Sequence, residues 1–170
     1  MRVTIFGATG LLGKALLPHW EKDEVIGLGS SDADIRDATE VRAAIERTQP
    51  EWIVNAAAYT DVDGCESNQE QAFAVNCQGA VNIAASAKAG GARLISVSTD
   101  YVFDGQNTEP YETTAPRAPR SVYGKSKAQA EDKSSRSCLR PVSCAPPGCL
   151  GWAANVFPTP FSNWPRRGLP

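Results

Sequence analysis

The stretch VTIFGATGLLGKALL, residues 3–17, decides how the rest of the chain is read. VTIF is apolar and rich in β-branched residues, which suits a strand buried on both faces. GATGLLG follows at once, and Lys14–Trp20 then carries helical spacing. A strand that passes through glycines into a helix opens a βαβ unit. Gly7, Gly10 and Gly13 let the turn fold tightly and let the backbone approach a pyrophosphate. The helix N-terminus behind them offers free N–H groups and a partial positive charge. Any tight strand-to-helix turn favours glycine, so the motif draws its meaning from its place after the first strand.

Outward from there, strand and helix alternate. EVIGL (24–28) reads as a second strand, and Thr39 as the N-cap of a helix VRAAIERT that Pro50 ends. WIVNAAA (52–58) is a third strand with its loop. A long helix around Glu70–Gly90 stops at Gly90-Gly91, and ARLISVS (92–98) is a fourth strand. Residues 99–120 form a loop, and Ser121 opens a further helix. This alternation predicts right-handed crossovers and an α/β fold: a Rossmann-type doubly wound parallel sheet, incomplete, with an irregular C-terminal tail.

The chain has 170 residues, enough for one domain with a real core, and its net charge of −2 favours neither nucleic acid nor an anionic membrane. No apolar run is long enough to span a membrane, and residues 1–6 are too short for a signal peptide. The five cysteines lack paired spacing, so a reduced, cytoplasmic setting and no metal site are expected. Cys65 and Cys77 read as small buried groups, and His19 as a capping or packing residue. Composition breaks sharply near residue 133. Residues 1–133 hold all 19 acids, whereas 134–170 hold none, with seven of the 12 prolines and three of the five cysteines. The expected division is a partial dinucleotide-binding domain over 1–133 and an irregular tail over 134–170. With seven prolines the tail cannot readily continue a sheet, so the sheet is expected to end at the fourth strand.

A second motif lies in SVYGKSKAQAE (121–131), where Tyr123 and Lys127 stand four apart and share a helix face. A free tyrosine, with a pKa near ~10, is a poor acid at neutral pH, and a neighbouring ammonium favours its phenolate. The pair is therefore a candidate proton donor, against the plainer reading of a surface tyrosine stacked on a lysine stem. Ser98 and Thr99, at the end of the fourth strand, fall within reach of the same crevice. At the end of the second strand, Gly29-Ser30-Ser31 offers hydroxyls where an acid would repel a 2′-phosphate. Arg36 is close enough to assist a phosphate, though a solvated loop arginine is the plainer reading. This leans toward NADPH and leaves NADH open.

GATGLLG, NAAAYTDVD, STDYVFDG and YGKSKAQAE, in this order and spacing, resemble the extended short-chain dehydrogenases/reductases. Within them the resemblance is to enzymes that use NADPH or NADH to reduce a dTDP-4-keto sugar, dTDP-4-dehydro-L-rhamnose, to dTDP-L-rhamnose for cell-surface polysaccharide. It covers residues 1–133. It implies that Tyr123 protonates the C4 oxygen, that Lys127 tunes Tyr123 and holds the nicotinamide ribose, and that Thr99 hydrogen-bonds the carbonyl, with Ser98 competing. Gly10, Leu11 and Leu12 would line the pyrophosphate, Asp34 and Ile35 the adenine, and Ala58, Tyr59 and Thr60 the cofactor beyond the third strand. Asp63 and Glu66 match the family string as loop-ordering groups. The resemblance also implies a dTDP-sugar substrate, a homodimeric family without fixing the state of this chain, and optional Mg2+ with no ligand identified here.

The family would continue past the last helix with another strand, a sugar-contacting Trp and a substrate domain, none of which is legible after residue 133. A one-base shift of frame lets the codons from Cys144 onward spell RTSWLFGVGGKCFPDTILKLAATRP, which looks like that missing strand, Trp and helix. A frameshift near Lys133 is therefore expected. Three readings remain: the reductase, a non-enzymatic nucleotide-binding regulatory subunit built on the same fold, and an inactive fragment of the reductase.

Overall fold

The computed structural model describes residues 1–20, 23–108, 110–112, 114–137 and 142–144. Strand β1 (Arg2–Phe6) leads through the glycine turn into a short helix α1 (Leu11–Leu16), which tightens into a 3-10 turn over Leu17–Trp20. β2 (Glu24–Leu28), α2 (Ala38–Thr48), β3 (Trp52–Asn55), α3 (Val62–Ser67), α4 (Gln69–Phe73), α5 (Ala80–Gly90) and β4 (Arg93–Val97) follow. A 3-10 turn at Asp100–Val102, helix α6 (Val122–Ser137) and β5 (Val142–Cys144) complete the described elements. The five strands are parallel in the order β2-β1-β3-β4-β5.

Both faces of β1 are buried, as its unbroken apolar pattern requires. Val3 and Ile5 face the side that α1 covers, with Val54 beside them; Phe6 faces the side of α2 and α5, with Ile53 and Ile83. Ile5, Ile53 and Ile83 are each 0% exposed, and burying such a side chain contributes about 1.5–3 kcal/mol. Thr4, polar on an otherwise apolar strand, is also buried. Its Oγ1 donates to Thr48 Oγ1 at 2.9 Å, and Thr48 in turn donates to the Ala44 carbonyl at 2.8 Å, so neither hydroxyl is left unpaired.

Three expectations are corrected. Helix α2 is capped by Asp37, not Thr39: the Asp37 carboxylate accepts from Thr39 N at 2.7 Å and Glu40 N at 3.3 Å. An aspartate two residues upstream outcompetes the threonine hydroxyl because it can reach two orphan N–H groups. The helix foreseen over 70–90 is interrupted by a π-helical turn at Ala74–Gly79, an i→i+5 geometry with no compositional signature.

The third correction concerns the end of the sheet. Helix α6 runs past Lys133 to Ser137, and β5 pairs with β4 in the register Ile95↔Val142, Ser96↔Ser143 and Val97↔Cys144. The sheet therefore does not stop at its fourth strand. Proline forbids ladder bonds only at its own nitrogen, and the three residues of β5 lie between Pro141 and Pro146. The expected irregularity of the remaining tail, and the shifted-frame reading beyond Cys144, lie outside the described residues.

Candidate active site

The strand order reverses between β1, which leads to β2 on one side, and β3, which leads to β4 on the other. A crevice outside the carboxyl ends of strands at such a point is the usual ligand site of a doubly wound sheet. Gly7 leaves β1 with φ +79°, and a Cβ there would lie 2.6 Å from Ala57 N. The glycine turn thus rests against the segment that leaves β3. Gly7 N and Ala8 N also donate to the Leu28 carbonyl at 2.9 and 3.0 Å, tying the turn to the end of β2. A Cβ on Gly13 would meet Gly7 O at 2.3 Å and Ala8 Cα at 2.5 Å.

Gly10 differs from these two. It caps α1 without a side-chain bond, is exposed, and its added Cβ would meet only Gly7 O, at 3.3 Å. Leu11 beside it is 94% exposed, a large apolar side chain without cover, while Leu12 is half-buried. Ala58 and Tyr59 are half-buried and Thr60 exposed, and they follow directly on the Ala57 that Gly7 touches. The glycine turn and residues 58–60 therefore flank one crevice. Gly7 and Gly13 thus pack the turn tightly against neighbouring backbone, and exposed Gly10 is the glycine of the motif left open for a ligand's approach.

At the β2 end, Ser30 and Ser31 are exposed, and the Asp32 carboxylate folds back to accept from Gly29 N at 2.7 Å. Arg36 is not held ready for a phosphate. Its Nε and Nη2 grip the Asp34 carboxylate at 2.9 and 2.5 Å, and its Nη1 donates to Gln71 Oε1 at 3.1 Å. Those bonds hold the Asp34 carboxyl below the usual aspartate range. Ile35 is buried and packs on the π-turn: a Cβ on Gly79 would lie 2.5 Å from Ile35 Cδ1.

The proton-donor candidates gather at the end of β4. Lys127 is 5% exposed, and its Nζ donates to the Val97 carbonyl at 2.6 Å. Thr99, 6% exposed, lies two residues beyond Val97; its Oγ1 donates to Asp100 Oδ1 at 3.2 Å and accepts from Tyr101 N at 3.3 Å. The Tyr101 ring meets the Tyr123 ring edge-on, with centroids 5.7 Å apart. Gly124 is required there, since a Cβ would strike the Tyr101 carbonyl at 2.2 Å. Lys127 and Tyr123 of α6 are thus both docked beside Thr99. Ser98 is engaged elsewhere, donating to the Glu131 carboxylate, which also receives Arg117 Nη1 at 2.8 Å.

Asn76 was not foreseen as a site residue, and no spacing in the sequence marks it. Buried in the π-turn at 1% exposure, its Oδ1 accepts from Tyr59 N at 2.8 Å. Its Nδ2 donates to Tyr59 O at 3.1 Å and to Ser126 Oγ at 3.0 Å. Ser126 Oγ in turn donates to the Tyr123 carbonyl at 2.7 Å. One amide therefore joins the segment after β3 to the Tyr123 turn. Asn76→Ala strands a buried N–H and should cost about 2–3 kcal/mol; chemical denaturation measures it, and a loss under 1 kcal/mol would refute the joint.

His19 is exposed in the 3-10 turn Leu17–Trp20 rather than buried in the core. Cys65 and Cys77 are buried free thiols whose pKa values burial pushes up, the inert direction for a nucleophile. Among the described residues no cluster of three or more metal-ligating side chains occurs, and no helix is long and apolar enough to cross a membrane.

Fold and crevice together define a Rossmann-type α/β protein with its candidate site at the topological switch point. The chain matches the family model of the RmlD substrate binding domain over residues 1–142, and it belongs to that family. A dTDP-4-dehydrorhamnose reductase of Mycobacterium tuberculosis is 44% identical in an alignment of 138 positions, gaps included, that covers 76% of this chain and 44% of that protein. The crystal structure of the Bacillus anthracis dTDP-4-dehydrorhamnose reductase in complex with NADP has a TM-score of 0.83 at 33% identity, covering 85% of this chain and 52% of the other. The Bordetella bronchiseptica enzyme WbmG in complex with NAD and UDP follows at TM-score 0.77 and 27% identity, covering 85% and 52%. The chain thus spans about half the length of the relatives it matches.

Proposed function

We propose that this chain carries the dinucleotide site and the proton-donating pair of a reductase that converts dTDP-4-dehydro-L-rhamnose to dTDP-L-rhamnose. The observation that supports the reading is the bond from Lys127 Nζ to the Val97 carbonyl at 2.6 Å, two residues before Thr99, on the helix that also carries Tyr123. Relatives that cover only half their length with this chain support the substrate by name; the geometry supports the chemistry.

Gly10, Leu11 and Leu12 would hold the pyrophosphate, Asp34 and Ile35 the adenine end, and Ala58, Tyr59 and Thr60 the side toward the nicotinamide. NADPH is the expected partner, and NADH is compatible with exposed Ser30 and Ser31 beside Asp32. When bound, the reduced nicotinamide supplies a hydride for C4 of the sugar. Tyr123 gives its phenolic proton to the C4 oxygen, and the Lys127 ammonium favours the phenolate left behind. The Thr99 hydroxyl turns from Asp100 to donate to that same oxygen. Its present bond, at 3.2 Å, is long and readily exchanged. Because Thr99 and Lys127 are both nearly buried, their charges and dipoles act with little screening by water.

Titration of the purified chain with NADPH and NADH tests the first half of this reading, and failure to bind either overturns it. The second half is tested with the reading frame restored after Lys133. Reduced nicotinamide should then be consumed on addition of a dTDP-4-keto-6-deoxy sugar, and inertness toward it would sink the substrate assignment. Resequencing the locus decides the frame itself.

A further inference from the structure

We infer that Glu66 is a positioning residue for Tyr123, closing the first turn of α6 from outside that helix. The inference rests on the reading of Tyr123 as the proton donor and extends it. The first N–H groups of a helix have no acceptor within it and must find one elsewhere. In α6, Ser121 serves one by local means, its Oγ accepting from Gly124 N at 3.0 Å, while its carbonyl takes the first intrahelical bond from Lys125 N at 2.9 Å. Val122 N is different. It donates at 2.7 Å to Glu66 Oε1, on α3, 56 residues earlier in the chain.

A cap supplied by the helix's own segment shapes the turn but cannot fix where the turn sits against the sheet. A cap supplied by α3 can, provided α3 is itself firmly seated. It is. Asp61 closes the start of α3 by accepting from Gly64 N at 2.9 Å, and Cys65, at 0% exposure, packs with Val122 in the cluster that includes Tyr59 and Tyr123. The carboxylate therefore stands on a fixed base, one residue after the Cys65 that packs with Val122.

Tyr123 lies between two such fastenings. Glu66 holds Val122 on one side, and Asn76 holds Ser126 one turn further on at 3.0 Å. Both fastenings come from the chain that follows β3, the same chain whose residues 58–60 flank the crevice. The phenol is thereby indexed to the cofactor side of the site. The sequence marks Glu66 only as a loop-ordering acid, yet what it orders is the first turn of another helix.

The test uses the 170-residue chain with carbon-13 in its tyrosine rings, the Tyr123 signal being assigned by its loss in Tyr123→Phe. Amide exchange of Val122 is compared with that of Ala128 in mid-helix. Glu66→Ala should speed Val122 exchange by at least about tenfold relative to Ala128 and shift the Tyr123 ring signal, as a frayed first turn does. Glu66→Gln keeps an acceptor oxygen and should restore both. Parent-like exchange and ring signal in Glu66→Ala would overturn the inference, and so would a Gln variant that behaves like Ala. Should Glu66→Ala fail to fold, Glu66→Asp, whose carboxylate is one methylene short of Val122 N, is read in its place: faster Val122 exchange is expected, and parent-like exchange overturns the inference. Failure of the parent chain to bind NADPH or NADH counts against the reductase reading and leaves these two readouts to judge Glu66.

Discussion

Tyr123→Phe should lower turnover on a dTDP-4-keto sugar by about 10²–10⁴-fold while leaving dinucleotide affinity within about twofold, the range expected when a general acid alone is lost. The substitution is close to a pure deletion of the hydroxyl. The ring stays in its cluster with Cys65, Ala72 and Val122, and it can keep its edge-on contact with Tyr101 at 5.7 Å. Lys127 keeps its anchor on the Val97 carbonyl, so the cofactor side of the site is not disturbed. The measurement is kcat and KM of a chain in which a one-base shift of frame after Lys133 supplies the proposed continuation, beside a direct titration of NADPH. A loss smaller than about tenfold would show that the proton comes from elsewhere, since one decade is only about 1.4 kcal/mol of transition-state stabilisation.

The second large effect separates two glycines of one motif. Gly13→Ala should destabilise the chain by about 3 kcal/mol or more, because the new methyl meets the backbone of Gly7 and Ala8 at 2.3 and 2.5 Å, and backbone on a packed strand end cannot step aside. Gly10→Val should leave the fold nearly intact. Its Cβ meets a single carbonyl at 3.3 Å on an exposed face, a contact that a few tenths of an ångström relieve. Dinucleotide binding should nevertheless be lost in Gly10→Val, because the isopropyl group occupies the space through which the pyrophosphate reaches the turn. Thermal unfolding and NADPH titration on both variants make the comparison. Undiminished NADPH binding by Gly10→Val would exclude this turn as the phosphate cradle.

The glycine turn, the alternation of strands and helices and the Tyr–Lys pair were legible because each is local. Periodicity reports burial, glycine reports a backbone that must approach something, and a spacing of four reports a shared helix face. Elements whose cause lies in turn geometry or in distant contacts rather than in residue pattern were misread or missed. Asp37 took the cap from Thr39 by reaching two N–H groups, a choice that depends on the φ/ψ of the turn before the helix. The π-turn at Ala74–Gly79 exists where Gly79 lets Ile35 close in and where Asn76 must aim its amide at Tyr59 and Ser126. Arg36, set down as a possible phosphate ligand, is held by Asp34 in a fork that adjacency in sequence alone does not dictate.

From the sequence by itself came the α/β class, the glycine turn and the Tyr123–Lys127 pair on one helix face, since those depend on residue type and near spacing, while the family and the candidacy of Thr99 came from resemblance. Only the tertiary structure decided which groups hold that chemistry in place. Val97 offers Lys127 a carbonyl, Asn76 links Tyr59 to Ser126, Glu66 caps α6, and β5 lies beside β4. All four are contacts between segments distant in the chain. Their partners are backbone or amide groups that many residues could supply, so nothing in the local pattern announces them; they exist because a parallel sheet brings the ends of its strands to one edge.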